Sequence, residues 1–263
     1  MLNEDLTDRV ALVTGASSGL GFAAAAALAR RGARVAISSR GGAKLKRAEE
    51  VLSRTAPEVV AYPADVRKPE ALEDLVSDTE ETLGPVDILV ANGGGPRVKP
   101  AAELDDADWE EALPLVFLFI PRLCRLVLPG MLRRGWGRIV AINSVSTKQP
   151  IPDLAISNTL RPAVVGYLKT LSQEVANKGV TVNAVLPGYT KTARQLEIAE
   201  GVAAQRGVAV KDILAERGAD FPINRMAEPE EIGEVVGFLC SPAASYMTGQ
   251  SITVDGGYAR SLL

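Results

Sequence analysis

Short apolar runs alternate with amphipathic stretches from one end of the chain to the other. Seven runs read as strands: residues 10–14, 34–39, 59–62, 88–92, 138–143, 181–186 and 251–254. Most are almost continuously apolar, the pattern of parallel strands covered on both faces rather than of a half-exposed sheet. Between them the apolar period lengthens to that of helices, over 19–31, 42–54, 69–83, 106–134, 153–177, 193–218 (broken) and 229–240. Pro69 and Pro229 suit first helical turns, with Glu70, Glu230 and Glu231 behind them. Gly32, Gly84, Gly135 and Gly179 stand just past helix ends. Pro114, Pro121 and Pro129 are expected to bend the fourth helix. The β-α alternation predicts an α/β fold with a doubly wound parallel sheet, in a single domain spanning 1–263. No linker or low-complexity segment divides it, and the irregular stretch 192–224 is where a lid over a ligand would fall.

The first strand runs straight into a glycine-rich turn, Gly15-Ala16-Ser17-Ser18-Gly19-Leu20-Gly21, which opens an alanine-rich helix. Strand, tight turn and helix N-terminus in that order make an anion site, because the first helical N–H groups are unpaired and the dipole is positive there. Gly15 permits the sharp turn, Gly19 lets a diphosphate approach the backbone, and Gly21 lets the helix lie close to the strand. The spacing is G-x-x-x-G-x-G rather than the commoner G-x-G-x-x-G. A dinucleotide site is the reading that the flanking strand and helix support.

Composition narrows the chemistry. Of 263 residues 47% are hydrophobic, and the formal charge is −3, so no global basic field points to nucleic acid. The polar, acidic start of the chain does not read as a signal peptide, and no apolar run reaches membrane-spanning length; the longest, 113–120, contains Pro114. A soluble cytoplasmic protein is expected, with Cys124 and Cys240 as buried thiols. There is no histidine. That excludes a Ser-His-Asp hydrolase, a His-ligated metal and a His general base, and no metal site is expected.

Several ordered motifs resemble those of the short-chain dehydrogenase/reductase (SDR) superfamily, near the bacterial 3-oxoacyl-carrier-protein reductases. They are Thr14 to Gly21, Asp65-Val66, Ala91-Asn92-Gly93-Gly94, Asn143-Ser144-Val145-Ser146, Asn183 to Gly188, Arg225 to Glu231, Thr248-Gly249-Gln250 and Asp255-Gly256-Gly257. The resemblance covers roughly residues 6–257. It implies a Rossmann sheet of order 3-2-1-4-5-6-7 with NAD(P) across the carboxyl ends of the strands. It places Asp65 and Val66 beside the adenine, and Asn92, Gly93 and Gly94 under the ribose. Pro187, Gly188 and Thr190 or Thr192 fall at the nicotinamide amide. It also implies a homo-oligomer, a tetramer, which the long apolar helices 106–134 and 153–177 would favour.

The second strand ends in Ser38-Ser39-Arg40. Ser39 stands where NAD-preferring relatives carry an acid, and the Arg40 guanidinium suits a 2′-phosphate. With hydroxyls from Ser17 and Ser18 nearby, NADP(H) is expected in preference to NAD(H).

The family's chemistry uses a Ser, a Tyr thirteen residues later and a Lys four beyond that. This chain supplies Ser144, then Ser157 and Arg161 at those spacings, and no Tyr-x-x-x-Lys occurs anywhere. The family's helix Asn falls on Val116. A Ser hydroxyl is short and stays neutral, and Arg cannot relay a proton, although it can fork onto ribose hydroxyls or a carboxylate. Pro162 removes a helical N–H beside Arg161. The expectation is an NADP(H)-dependent SDR oxidoreductase acting on a small carbonyl, alcohol or enone. Ser144 would hold the substrate oxygen, Arg161 the ribose or a substrate anion, and Ser157 a proton-delivering water. Ser146 and Asn158 would keep the pocket polar, while Arg97, Lys99, Lys148, Lys191 and Arg194 on the surrounding loops would suit an acidic substrate. The alternative is a non-catalytic NADP-binding protein whose active site has decayed.

Overall fold

The computed structural model describes residues 3–262. Seven parallel strands form one sheet: β1 (Val10–Val13), β2 (Arg34–Ser39), β3 (Val59–Pro63), β4 (Ile88–Ala91), β5 (Gly137–Ile142), β6 (Val180–Pro187) and β7 (Ser251–Val254). Their order is β3-β2-β1-β4-β5-β6-β7, as expected from the sequence. The reversal lies between β1 and β4, and the crevice above such a reversal is where open α/β sheets hold ligands.

The apolar strands have the two-sided burial that their composition predicts. On β1, Val10 and Leu12 join the core on one side of the sheet, and Ala11 and Val13 the core on the other. The first core is covered by α3 (Pro69–Leu83), α5 (Phe119–Arg134) and α6 (Ala155–Val175). The second is covered by α1 (Gly19–Arg30), α2 (Ala43–Leu52) and α9 (Pro229–Cys240). The alanine run of α1 lets that helix sit close to β1 and α9, with Ala24, Ala25 and Leu28 fully buried. Cys124 and Cys240 are buried free thiols, each pushed up to about 12 by desolvation, so they act as small apolar groups.

The long helix expected over 106–134 is interrupted. It runs as α4 (Asp106–Leu113), a π-helical turn (Pro114–Leu118) and then α5. Pro114 has no N–H to continue the α-helical ladder, which accounts for a break at that residue. By length and composition the whole stretch could cross a membrane. Its apolar face, from Phe119 through Leu123 and Val127 to Met131, is packed in the core instead. The lid region splits into α7 (Ala193–Arg206) and α8 (Val210–Ala219), with Gly207 ending the first in a left-handed conformation. Helix α6 continues unbroken through Pro162.

Candidate active site

The glycine turn sits at the carboxyl end of β1. Gly15 has a φ of 60°, and a Cβ there would lie 2.7 Å from the Asn92 carbonyl oxygen. A Cβ on Gly21 would lie 2.4 Å from the Gly15 carbonyl oxygen, so α1 reaches the turn only without a side chain at that position. Asn92 is a brace: its Nδ2 donates to the Gly15 carbonyl at 3.0 Å, and its backbone N–H donates to Thr14 Oγ1 at 3.0 Å. Thr14 Oγ1 in turn donates to the Asn92 carbonyl at 2.9 Å. Ser18 occupies the N-cap of α1 without bonding it, so the first-turn N–H groups of Gly19, Leu20 and Gly21 are left for a ligand. Ser17 is half-buried beside them.

Arg40 is exposed just past β2 and has no ion pair among the described residues. Ser39 is half-buried, its Oγ accepting from Gly41 N at 3.4 Å. Asp65 is held by Arg67 at 2.6 Å, which keeps its carboxyl below the usual range, and Val66 is buried next to it. Pro187 ends β6, and Gly188 N donates to the Val254 carbonyl. Thr190 is buried, its hydroxyl donating to the Gly188 carbonyl at 3.2 Å. Thr192 caps α7 and packs on the glycine turn, its Cγ2 being 3.3 Å from where a Gly19 Cβ would stand. Of the two threonines expected at this edge, Thr192 is therefore the one that meets the nucleotide turn. Gly93 and Gly94 lie against Leu115 of the π-helical turn.

The second cluster gathers beyond β5. Ser144 Oγ accepts from Ser146 N at 3.1 Å, and its own O–H has no acceptor among the described residues. Ser157, near the start of α6, is 5% exposed. Its Oγ accepts from Arg161 Nε at 3.0 Å and shares a hydrogen bond with Ser146 Oγ at 3.1 Å. Arg161 Nη1 donates to Asn143 Oδ1 at 3.1 Å, and Asn143 Nδ2 donates back to the Arg161 carbonyl at 2.9 Å.

A family model described as enoyl-(acyl carrier protein) reductase matches residues 15–259. The chain is 34% identical over 253 residues to dehydrogenase/reductase SDR family member 4 of Bos taurus, covering 96% of this chain and 88% of the relative. It is 32% identical over 253 residues to the 3-oxoacyl-[acyl-carrier-protein] reductase FabG of Vibrio cholerae, covering 96% of this chain and 98% of that one. Its fold superposes on L-sorbose reductase of Gluconobacter frateurii, solved with NADPH and L-sorbose, with a TM-score of 0.95. The identity there is 32%, covering 99% of this chain and all of the other. This chain belongs to the short-chain dehydrogenase/reductase superfamily.

Within that superfamily its polar cluster is arranged differently from the sequence-based expectation in two respects. Ser157 is buried rather than at the pocket surface, and its Oγ is bonded to Arg161 and Ser146, so it steadies the guanidinium. Asn158 does not face the pocket. Its amide is locked to the Ile151 backbone, accepting from Ile151 N at 3.1 Å and donating to Ile151 O at 2.9 Å. Val116, in the family's Asn position, is buried in the π-helical turn and contributes no polar group.

The loop cations expected to attract an acidic substrate are largely neutralised within this SDR chain. Arg97 pairs with Glu111 at 2.9 Å, Lys99 with Asp108 at 2.6 Å, Lys191 with Glu228, and Arg194 with Glu197 at 3.6 Å. Lys148 and Arg161 have no carboxylate partner among the described residues. Burial lowers the Arg161 guanidinium to about 10.

Two features of this SDR site escape a reading of the sequence. One is the clamp of Asn143 on Arg161, which joins residues 18 positions apart. The other is an aromatic cluster: Tyr189, just after Gly188, meets Phe221 edge to face at a centroid distance of 5.5 Å and lies tilted against Tyr258 at 6.1 Å. Arg260 N, beyond Tyr258, donates to Gln149 Oε1 and so ties the chain's end to the loop after β5. The only sequence signal for the cluster is the aromatic residue following Pro187-Gly188.

Proposed function

We propose that this protein is an NADP(H)-dependent reductase that moves hydride between the nicotinamide and a small carbonyl substrate. The observation that carries the reading is the hydroxyl of Ser144 at the carboxyl edge of the sheet, on the same edge as a helix N-terminus that no side chain caps. The residues present fit the cofactor. The cradle is too close for side chains at Gly15 and Gly21, and its first-turn donors are uncapped. Arg40 is free to meet a 2′-phosphate, and no acid stands at Ser39 to repel it. Bound there, the reduced cofactor supplies the hydride.

The chain's own residues polarise and orient. Ser144 donates its O–H to the substrate oxygen, stabilising the negative charge that develops on it as hydride arrives at carbon. The alkoxide then takes its proton from solvent, because position 157 offers no phenol and Ser157 is sealed inside. Ser157 and Asn143 act through Arg161, fixing its fork at the pocket floor.

The missing phenol also favours a second reading, conjugate reduction of an enone. The enolate formed there is protonated by water at carbon and makes less demand on an enzyme acid. The family model's description, an enoyl reductase, is compatible with it.

The test is a pair of titrations. NADPH and NADH dissociation constants, followed by NADPH oxidation over a panel of ketones and enones, should show tight, phosphate-selective binding and turnover of at least one class. Tight binding with no oxidation of any member would favour the non-catalytic alternative.

A further inference from the structure

A cleft of about 170 Å³ lies between the loop after β4, the α4 helix with the π-helical turn that follows it, and the start of the lid helix α7. Gly95 and Arg97 form one wall, Asp108, Glu111 and Leu115 the second, and Arg194 the third. Arg194 reaches across from the lid: its Nε is 4.0 Å from where a Gly95 Cβ would stand, and its Nη2 donates to the Pro96 carbonyl at 3.5 Å. Two of these walls continue strips assigned above to the cofactor. Gly95 follows Gly93-Gly94, and Arg194 stands two residues beyond Thr192, which packs on the glycine turn. Leu115 also lines the floor at Asn143, the residue before Ser144, so the cleft and the polar cluster share a wall.

The charges on these walls are answered, but their hydrogen-bonding capacity is not. Arg97 pairs with Glu111 at 2.9 Å, Asp108 with Lys99 at 2.6 Å and Arg194 with Glu197 at 3.6 Å. Asp108 is 6% exposed, and a single oxygen, Oδ2, takes both Lys99 and the Asp105 N–H. Its Oδ1 has no hydrogen-bond partner among the described residues. Lys99 holds the Asp108 carboxyl below the usual range, so it is ionised and can only accept. A buried carboxylate oxygen on the wall of a cleft calls for a donor. The guanidinium of Arg97 meets only Glu111, which leaves the rest of its N–H groups to donate.

These observations select a neutral group that both gives and accepts. A cation approaching Asp108 would meet Lys99 already there, and an anion approaching Arg97 would meet Glu111. An apolar chain would displace water from Asp108 Oδ1 and put no donor in its place. A hydroxyl donates to the carboxylate and accepts from a guanidinium at once. We infer that this cleft recognises hydroxyl groups, and that the substrate is a polyhydroxylated ketone with its carbonyl on Ser144 and a hydroxyl farther along the chain on Asp108 Oδ1. This rests on the reductase reading and names its substrate class. The reaction is unchanged: hydride goes from NADPH to the carbonyl carbon and a solvent proton to its oxygen, while the hydroxyls of the cleft serve only to bind.

The test is calorimetric titration of erythrulose and of butanone, which share a carbon skeleton and differ in hydroxyls. Each is titrated into the full chain saturated with NADP⁺, which has no hydride to give, and again without nucleotide. Erythrulose should bind at least about tenfold more tightly than butanone, the scale of one hydrogen bond to a charged group. Asp108→Ala should remove that preference, and Asp108→Asn, which keeps an acceptor, should retain part of it. Asp108 also belongs to the capping box of α4, so circular dichroism checks that these variants fold. Arg194→Ala, on the exposed lid, reads the same preference without touching α4 and should lower it severalfold. Equal binding of the two ketones to the wild type, no erythrulose binding at the highest soluble concentration, or an Arg194→Ala variant that weakens both ketones equally would each overturn the inference. Failure of the reductase reading shows separately, as absence of NADP(H) binding, and the titration without nucleotide still reads the cleft.

Discussion

Arg161 donates its Nε–H to Ser157 Oγ across 3.0 Å, one helical turn apart on α6. The two residues that replace the family's Tyr and Lys therefore bond to each other. A guanidinium is always a donor here and the hydroxyl beside it accepts, while Ser157 Oγ shares a second hydrogen bond with Ser146 Oγ. The pair forms an internal unit that presents a cation, where the familiar pair presents an acid. Restoring Ser157→Tyr alone should therefore not raise ketone reduction. The phenol would displace the hydroxyl that steadies Arg161, and no Lys would connect it to solvent protons. Initial rates of NADPH oxidation compared with the wild type check this, and a rate increase of about tenfold or more would contradict it.

Arg40→Ala should weaken NADPH by about 10- to 100-fold and leave NADH nearly unchanged, the scale of charge-assisted bonds to a phosphate. The exposed, unpaired guanidinium makes the substitution structurally mild. Fluorescence titration with both nucleotides reads the selectivity directly.

Gly21→Ala should lower stability by about 1–3 kcal/mol and weaken nucleotide binding together, since a Cβ at 2.4 Å from the Gly15 carbonyl must push α1 off the turn. Chemical denaturation and NADPH titration of the same preparation should move in parallel.

Glu231 gives a pH dependence with a defined sign. Its two carboxylate oxygens take Arg225 at 2.6 and 2.7 Å and also accept from Glu228 N, and these contacts lower it from 4.5 to about 2. A carboxyl depressed on folding contributes stability above its unfolded value that is lost as pH falls from 4.5 toward 2. The melting temperature of Glu231→Gln should therefore lie below wild type near neutral pH, and the gap should close in that acid window. A gap independent of pH would count against the assignment.

Some of this was legible in the chain and some could not be. Helices α3 and α9 begin and end as expected, because Pro69 and Pro229 suit a first turn, where no helical N–H is needed, and apolar spacing carries the rest. The strand order came from the resemblance, whose motifs surround the sheet's reversal. The π-helical turn was not legible: three prolines predict bending of one long helix, but only packing decides that the break falls at Pro114. Nor was the partnering of the site's charges. Arg97 meets Glu111 and Arg161 meets Asn143 through tertiary contacts, and local sequence makes all these cations look alike.

The assembly is a further expectation. The half-buried Phe117 and Tyr167 meet edge to face at 6.5 Å, and with Leu126 and Val165 they form an apolar margin along the π-helical turn, α5 and α6. A second copy would cover that margin, and light scattering at micromolar concentration should report a tetramer; a monomer would refute it.

The most direct test of the central claim follows the hydride itself. NADPH deuterated at the transferred position of its nicotinamide is incubated with the protein and a panel of small oxo acids, ketones and enones. Mass spectrometry of the products reads the label. The account predicts one deuterium on the reduced carbon of at least one substrate, with Ser144→Ala slower by roughly 10²-fold, the scale of one lost oxyanion donor. Tight NADPH binding with no label in any product, beside label transfer by the Ser157→Tyr, Arg161→Lys double variant, would contradict it and leave a nucleotide-binding protein with a decayed site.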